Sequence, residues 1–123
     1  MEKRSEELDF SLAHVGINME STEEASALAE RFSKAFGFQI RQGSSSCFAG
    51  SGIEIMKSRF LGSNGHIAIE TSDLEQAIVY LEAQGFSMDR ENFKYSNGTL
   101  TAAYLKDDFG GFAVHLVRAP NKQ

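Results

Sequence analysis

Four polar residues of this chain have the types and spacing to bind a metal ion together. They are its three histidines, His14, His66 and His115, and one carboxylate, Glu54. Each stands in or beside an alternating run of large apolar residues, so on a strand each would lie opposite the apolar face. Three imidazoles and one carboxylate form a nitrogen-rich set, which suits zinc, nickel, cobalt, iron(II) or manganese. A single strand histidine is more often a hydrogen-bonded structural residue, and it is the pattern shared by all four that favours a metal site.

The elements that must position these residues occur twice. In each half a histidine-headed strand is followed by an S-x-x-E sequence and then by apolar residues at three- and four-residue spacing, which predicts a helix that begins with a capping box. A glycine is placed to end each helix. The residues that mark these positions are Ser21 and Ser72, then Gly37 and Gly85. The offset between the halves is 52 residues for the first two histidines, 51 for the serines and 48 for the glycines, which predicts a tandem repeat.

Three short strands are expected after each helix. They are predicted at residues 38–42, 45–49 and 52–57 in the first half, and at 86–89 or a little later, 100–106 and 112–117 in the second. Asn97-Gly98 predicts a two-residue hairpin turn. The last strand of each half carries Glu54 or His115, and their larger offset of 61 residues is assigned to extra residues around that hairpin.

The chain is therefore predicted to be an α+β protein made of two βαβββ modules. One domain is expected over residues 10–118, with module one at about 10–57 and module two at about 64–118. Residues 1–9 are predicted to form a charged, solvated leader, and residues 119–123 a tail.

Composition excludes several classes of function. The 123 residues carry a formal net charge of -5, which argues against a nucleic-acid partner or an anionic membrane surface. No apolar run approaches the roughly 20 residues that span a bilayer. The single cysteine, Cys47, cannot form a disulfide within the chain, suits a reducing cytoplasm and is expected to be a small buried hydrophobe.

These residues resemble the vicinal oxygen chelate superfamily, which includes glyoxalase I, bleomycin- and fosfomycin-resistance proteins and extradiol dioxygenases. The segments that carry the resemblance are residues 14–17, 53–55, 65–68 and 111–116. The resemblance implies two curved mixed sheets that form a cup, with a metal ion inside the cup and the helices on its convex side. It also implies a homodimer and a small-molecule substrate, and the cup could form within one chain or between two.

Ligand placement is most similar to that of glyoxalase I, which implies His14, Glu54, His66 and His115 as the metal ligands. Glyoxalases normally carry glutamate at the position of His115, where it can also move a proton. Glu54 is therefore the first candidate for the catalytic base here and His115 the second. The ending around His115 is similar to that of small domains that stand alone or are fused behind a keto-deoxy-phosphogluconate aldolase, which implies a sugar-acid or 2-oxo-acid context.

Two functions follow from the resemblance. The favoured one is a metal-dependent, glyoxalase-like lyase or isomerase, which would chelate two neighbouring oxygens of an α-hydroxy or α-keto compound and move a proton. The alternative is a non-catalytic module that sequesters a small molecule, as bleomycin-resistance proteins do, or senses a metabolite for a partner enzyme. Side-chain alternation along the strands does not by itself show which of the possible substrate contacts face the site. These residues are Arg41, Lys57, Arg59, Tyr95, Tyr104 and Lys106.

Overall fold

Within residues 3–120, which the computed structural model describes, eight strands and two α-helices follow one another in the order β-α-β-β-β, repeated once. The first module comprises β1 (Ser11–Asn18), α1 (Thr22–Phe36), β2 (Ile40–Gln42), β3 (Ser46–Ala49) and β4 (Ile53–Met56). The second comprises β5 (Gly65–Thr71), α2 (Leu74–Ala83), β6 (Lys94–Ser96), β7 (Thr99–Tyr104) and β8 (Phe112–Arg118). The α+β class and the tandem repeat predicted from the sequence are confirmed.

The two predicted sheets meet edge to edge and form one continuous mixed sheet. Its strand order is β2-β3-β4-β1-β5-β8-β7-β6. Within each module the first and last strands run parallel, β1 beside β4 and β5 beside β8. The modules join where β1 pairs antiparallel with β5. The two histidine-headed strands are therefore neighbours at the centre of the sheet.

Both helices pack on one face of this sheet. Ala25 and Ala29 of α1 pack against Ile55 and its neighbours, and Leu74 and Ile78 of α2 pack in a second cluster that contains Leu116. Because side chains alternate along a strand, Glu54 and His115 point to the opposite face, which we call the site face. Cys47 is buried in the first cluster, as expected.

The two helix starts differ in part from the predicted capping boxes. Ser21 caps α1 and accepts from the Glu24 backbone N–H at 3.1 Å, but the Glu24 carboxylate accepts from the backbone N–H of Glu20 and not of Ser21. The prediction of Ser72 as the second cap is wrong, because Asp73 takes this role and accepts from the Gln76 backbone N–H at 3.1 Å. From Ser21 to Asp73 the offset is 52 residues, the same as between the first two histidines.

The segment predicted as a solvated leader contributes to the core. A turn of 3-10 helix spans Ser5–Glu7, and Leu8 behind it is fully buried with the α2 cluster. The Leu8 carbonyl accepts from the Thr71 hydroxyl at 2.6 Å and from the Ser72 backbone N–H at 3.1 Å. The prediction failed because one apolar residue without periodicity gives no sequence signal, although burying it stabilises the fold by about 2 kcal/mol.

The extra residues of the second module lie outside the hairpin to which the sequence assigned them. Asn97 and Gly98 form the predicted two-residue turn, with φ of 51° and 79°, and Ser96 pairs with Thr99. The added length lies at 84–93, between α2 and β6, and at 105–111, between β7 and β8. The sequence predicts a strand at 86–89 or a little later. Residues 86–89 contribute only a single bridge, from Met88 to Leu105, and the strand β6 comes later, after a 3-10 turn at Arg90–Asn92.

Two other predictions concern the ends of the chain and the membrane. Residues 121–123 of the predicted tail lie outside the described residues. Among the residues that are described, no helix has the length and apolar character that crossing a membrane would require.

Candidate metal centre

The register of the central strands brings the predicted ligands onto one patch of the site face. Gly16 of β1 pairs with Glu54 on one side and with His66 on the other. Ala68 of β5 pairs in the same way with His14 and with His115. Each small residue thus stands between two of the predicted ligands, and the space above the sheet is left to the larger side chains.

Three of the four predicted ligands converge on one point. The Nε2 atoms of His14 and His66 lie 3.2 Å apart, and Glu54 Oε1 is 3.3 Å from the first and 3.0 Å from the second. Ligand atoms about 2.1 Å from one ion stand about 3.0 Å apart in octahedral geometry and about 3.4 Å apart in tetrahedral geometry. The three atoms therefore already have the separations that a bound divalent ion would impose. Two histidines and one carboxylate leave coordination positions open for a substrate.

The site is partly enclosed, and it forms within one chain. The His66 side chain is only 4% exposed, whereas the side chains of His14 and Glu54 are 25% and 17% exposed. The candidate ligand atoms of these residues come from both modules of a single chain.

His115 lies beside the three converging residues but is not part of their set. Its ring centre is 5.2 Å from that of His66 and 6.0 Å from that of His14. The residue is 5% exposed, and its Nδ1 atom is buried without a hydrogen-bond partner among the described residues. Its role as a fourth ligand stays a prediction.

Burial keeps His115 neutral. Burial, followed by the nearby charges of His66 and His14, lowers the pKa of His115 to about 3, against the opposing effect of Glu54. A neutral imidazole is the form that binds a metal ion or accepts a proton.

Acid should therefore destabilise the metal-free protein through His115. Because the folded-state pKa of about 3 lies below the ordinary value of 6.5, the unfolded chain binds more protons between these pH values. Stability is lost as the pH falls through this window, by about 2 kcal/mol between pH 7 and pH 5. Urea unfolding of the chelator-treated protein should show this loss, and His115→Asn should remove most of it. An equal loss in the variant would contradict the assignment.

Glu54 is held in its ionised form. Burial raises its pKa, but hydrogen bonds from His14, His66 and Ser46 outweigh that effect and hold the pKa of Glu54 well below its usual range. The Ser46 hydroxyl donates to Glu54 Oε2 at 2.7 Å, which leaves Oε1 directed at the two imidazoles. Ser46 is not among the predicted site residues. Ser46 stands two residues from Phe48 on β3, so side-chain alternation could have placed both on the same face of the sheet. Nothing in the sequence indicated the contact between Ser46 and Glu54.

Removing the Ser46 hydroxyl should weaken metal binding without unfolding the protein. Partners that orient a ligating carboxylate typically contribute about 10- to 100-fold in metal affinity, and Ser46→Ala is expected to lose this much. Competition of Zn²⁺ between the protein and a chromophoric chelator measures the change. Ser45→Ala is the matched control, because Ser45 is exposed and its hydroxyl makes no contact with Glu54. Equal affinities for the two variants would exclude an orienting role.

Two aromatic residues occupy equivalent positions on either side of the site. Phe48 pairs with Glu54 across β3 and β4, and Tyr104 pairs with His115 across β7 and β8. The ring centre of Tyr104 lies 4.4 Å from that of His115. Burial, and after it the charge of Glu54, raises the pKa of Tyr104 to about 12, so its hydroxyl stays protonated and able to donate.

Two further polar residues of the site face, Asn18 and Glu70, are engaged at its borders. Asn18 donates from Nδ2 to the Gly62 carbonyl at 3.0 Å, and Glu70 accepts from the Ser11 hydroxyl at 3.1 Å. Strand alternation places them on the same face as His14 and His66. Neither joins the converging set.

Comparison with known proteins identifies the fold. No protein-family model matches the chain, and no curated protein is significantly similar to it in sequence. Among solved structures, a hypothetical protein, BH1468, from Bacillus halodurans C-125 is similar with a TM-score of 0.63 at 15% identity, over 94% of this chain and 98% of that one. A methylmalonyl-CoA epimerase in selenomethionine form has a TM-score of 0.61 at 13% identity, over 89% and 95%.

The methylmalonyl-CoA epimerase from Mycobacterium tuberculosis is similar to the same degree, with a TM-score of 0.61 at 18% identity, over 96% of this chain and 93% of that one. At such identities the likeness defines the fold and nothing finer. The chain has the vicinal oxygen chelate fold, with tandem βαβββ modules, as the resemblance implied.

Proposed function

We propose that this protein is a metal-dependent lyase or isomerase that acts on a small compound with two neighbouring oxygens, such as an α-hydroxy or α-keto acid. The observation that carries the proposal is the convergence of His14, Glu54 and His66, whose ligating atoms lie 3.0 to 3.3 Å apart. The partial exposure of His14 and Glu54 supports it further, because a substrate must reach the ion from that side.

His14 and His66 would hold the ion through Nε2, and Glu54 through Oε1. A divalent ion bound there supplies Lewis acidity, which polarises a carbonyl and makes the neighbouring C–H bond more acidic. The chain's own contribution is to fix the ligands: Ser46 orients Glu54, and the absence of a side chain at Gly16 leaves room for the His66 ring.

Of the two candidate bases, the contacts favour His115. Both oxygens of Glu54 are already engaged, Oε1 by two imidazole nitrogens and Oε2 by Ser46. His115 is neutral, lies beside the set and has a ring nitrogen without a partner in the described part of the chain. In the proposed reaction His115 would take the proton from the substrate carbon and return it to the same or the neighbouring carbon.

The experiment that tests the proposal begins with metal analysis of protein purified without added metal. Near-stoichiometric zinc, nickel, cobalt, iron or manganese is expected, and the chelator-treated protein should regain the ion on titration. The loaded protein is then incubated in D₂O with 2-oxo acids, with the hemithioacetal of methylglyoxal and glutathione, and with methylmalonyl-CoA. NMR should detect deuterium at the carbon next to the carbonyl of at least one substrate. Protein that binds no divalent ion would overturn the proposal.

Two variants separate the roles of the candidate bases in the same assay. His115→Gln should retain bound metal and lose most of the deuterium exchange, since general bases typically contribute about 100-fold or more. Glu54→Gln should lose the metal itself. Full exchange in metal-loaded His115→Gln would show that His115 is not the base.

A second candidate, the non-catalytic binding module, is favoured by the acid–base properties of the site. The pKa of His115 is about 3 and that of Glu54 lies well below its usual range, whereas general acid–base catalysis is most efficient with a pKa near the working pH. Substrate binding without any deuterium exchange would support this alternative. The homodimer implied by the resemblance is also part of our proposal, and sedimentation of the same samples tests it.

A further inference from the structure

A row of paired residues leads from the metal centre to a cation at the edge of the sheet. Glu54 of β4 pairs with Phe48 of β3, which in turn pairs with Arg41 of β2. Residues paired directly across neighbouring strands point to the same face. Arg41 therefore lies on the site face. Side-chain alternation in the sequence alone did not establish this placement.

The aromatic ring between them fixes the position of the cation. The Arg41 guanidinium carbon lies 4.3 Å from the centre of the Phe48 ring, a cation–π contact. The Phe48 ring meets the His14 ring edge-on, with centres 6.5 Å apart and planes at 80°. Taken together, the 4.3 Å and 6.5 Å separations place the guanidinium within about 11 Å of the His14 ring. A molecule of a few carbon atoms can bridge this distance.

Arg41 is available to a ligand, whereas the neighbouring cations of its module are engaged. Lys57 donates to the Gly43 carbonyl at 2.8 Å, and Arg59 pairs with Glu20 and donates to the Ser63 carbonyl. Among residues 3–120, no carboxylate lies within 4.0 Å of the Arg41 guanidinium. Arg41 is exposed and carries a planar, permanently charged group that suits a carboxylate held by two hydrogen bonds.

We infer that Arg41 binds a second carboxylate of the substrate, at the end remote from the metal, so that the site selects dicarboxylic 2-oxo or 2-hydroxy acids over monocarboxylic ones. This inference rests on the proposed function, because the metal centre must hold the other end of the acid. Phe48 holds the guanidinium above the site face, and the aliphatic chain of the acid would lie along the row between Arg41 and Glu54.

The test compares two acids that differ only in the distal carboxylate, 2-oxoglutarate and 2-oxopentanoate. Binding to the Co²⁺-loaded protein is measured by calorimetry and by the change in the visible cobalt spectrum, neither of which needs turnover. The dicarboxylate should bind at least about tenfold more tightly, and Arg41→Gln should abolish this preference without changing the affinity for the monocarboxylate. Arg41→Lys should keep part of the preference, because lysine retains the positive charge but cannot donate two parallel hydrogen bonds to one carboxylate.

Lys94 provides the matched control. It is another cation that lies over an aromatic ring, with Nζ 5.2 Å from the Phe60 ring centre, and Phe60 in turn contacts Tyr104 on the His115 side. Lys94→Gln should leave the preference unchanged, and loss of the preference in this variant instead of in Arg41→Gln would overturn the inference. Equal binding of the two acids by the unchanged protein would overturn the inference and leave the proposed function standing. Failure of both acids to bind would overturn the inference, and the proposed function would then depend on deuterium exchange with the other substrates.

Discussion

Replacing Glu54 by glutamine is expected to lower the affinity for divalent metal by at least about 100-fold and to abolish turnover. The change keeps the size of the side chain and removes only the negative charge and the ligating strength of Oε1. Residues that merely orient a ligand contribute about 10- to 100-fold, so loss of the only carboxylate among the three converging residues should cost more. Metal content after dialysis, and titration with Zn²⁺ and Ni²⁺, measure the effect.

Glu70→Gln is the matched control for that variant. Glu70 is another carboxylate of the site face, but it accepts from Ser11 and makes no contact with the two imidazoles. Its replacement should leave metal affinity within about twofold of the original. If Glu54→Gln bound metal as tightly as Glu70→Gln does, the ion would have to be held elsewhere. If turnover survived with metal unchanged, Glu54 would be neither ligand nor base.

The second large effect is expected from adding one methyl group to the middle of β1. A Cβ atom built on Gly16 would lie 2.0 Å from His66 Cε1 and 2.3 Å from His66 Nδ1, so the ring occupies the space that the side chain would need. In Gly16→Ala the imidazole must leave its position beside Glu54. Metal affinity should fall by about 100-fold or more, and the metal-free protein should lose about 1–3 kcal/mol of stability through overpacking.

Gly52→Ala controls for the loss of a glycine as such. Gly52 immediately precedes β4, and no heavy atom lies within 4 Å of a Cβ placed on it. This variant should bind metal normally and be at least as stable as the original, because alanine restricts the unfolded chain. A normal metal affinity in Gly16→Ala would show that His66 is not a ligand in the position described.

Side-chain alternation accounts for most of what the sequence predicted correctly. The period of two placed His14, Glu54 and His66 on one face, and the near-constant offset between the halves gave the two modules. Alternation fixes the face of a residue but not its distance from another residue. The convergence of the three depends on the pairing of β1 with β5, a contact between modules that no local pattern contains.

The misses have local physical causes. Ser72 matched the capping pattern, but the strand continues to Thr71, the Ser72 N–H donates to the Leu8 carbonyl, and Asp73 caps the helix instead. The ligand role of His115 stays a prediction, because the position of its ring, tilted against the ring of Tyr104, is a choice of side-chain rotamer that sequence does not specify. One signal was present and not used: a glycine inside a strand often marks a close approach, and Gly16 lies directly beneath the His66 ring.

The paired positions of the two modules have a consequence for stereochemistry. His14 corresponds to His66, Glu54 to His115 and Phe48 to Tyr104, so the backbone around the site has approximate twofold symmetry. If the corresponding residues were identical, a small planar molecule could bind in two equivalent orientations related by the twofold axis. Here one half offers a carboxylate and a hydrocarbon ring, and the other a neutral imidazole and a phenol. The two halves of the duplicated scaffold are therefore not equivalent, so one of the two orientations is favoured and a bound compound presents a defined side to each half.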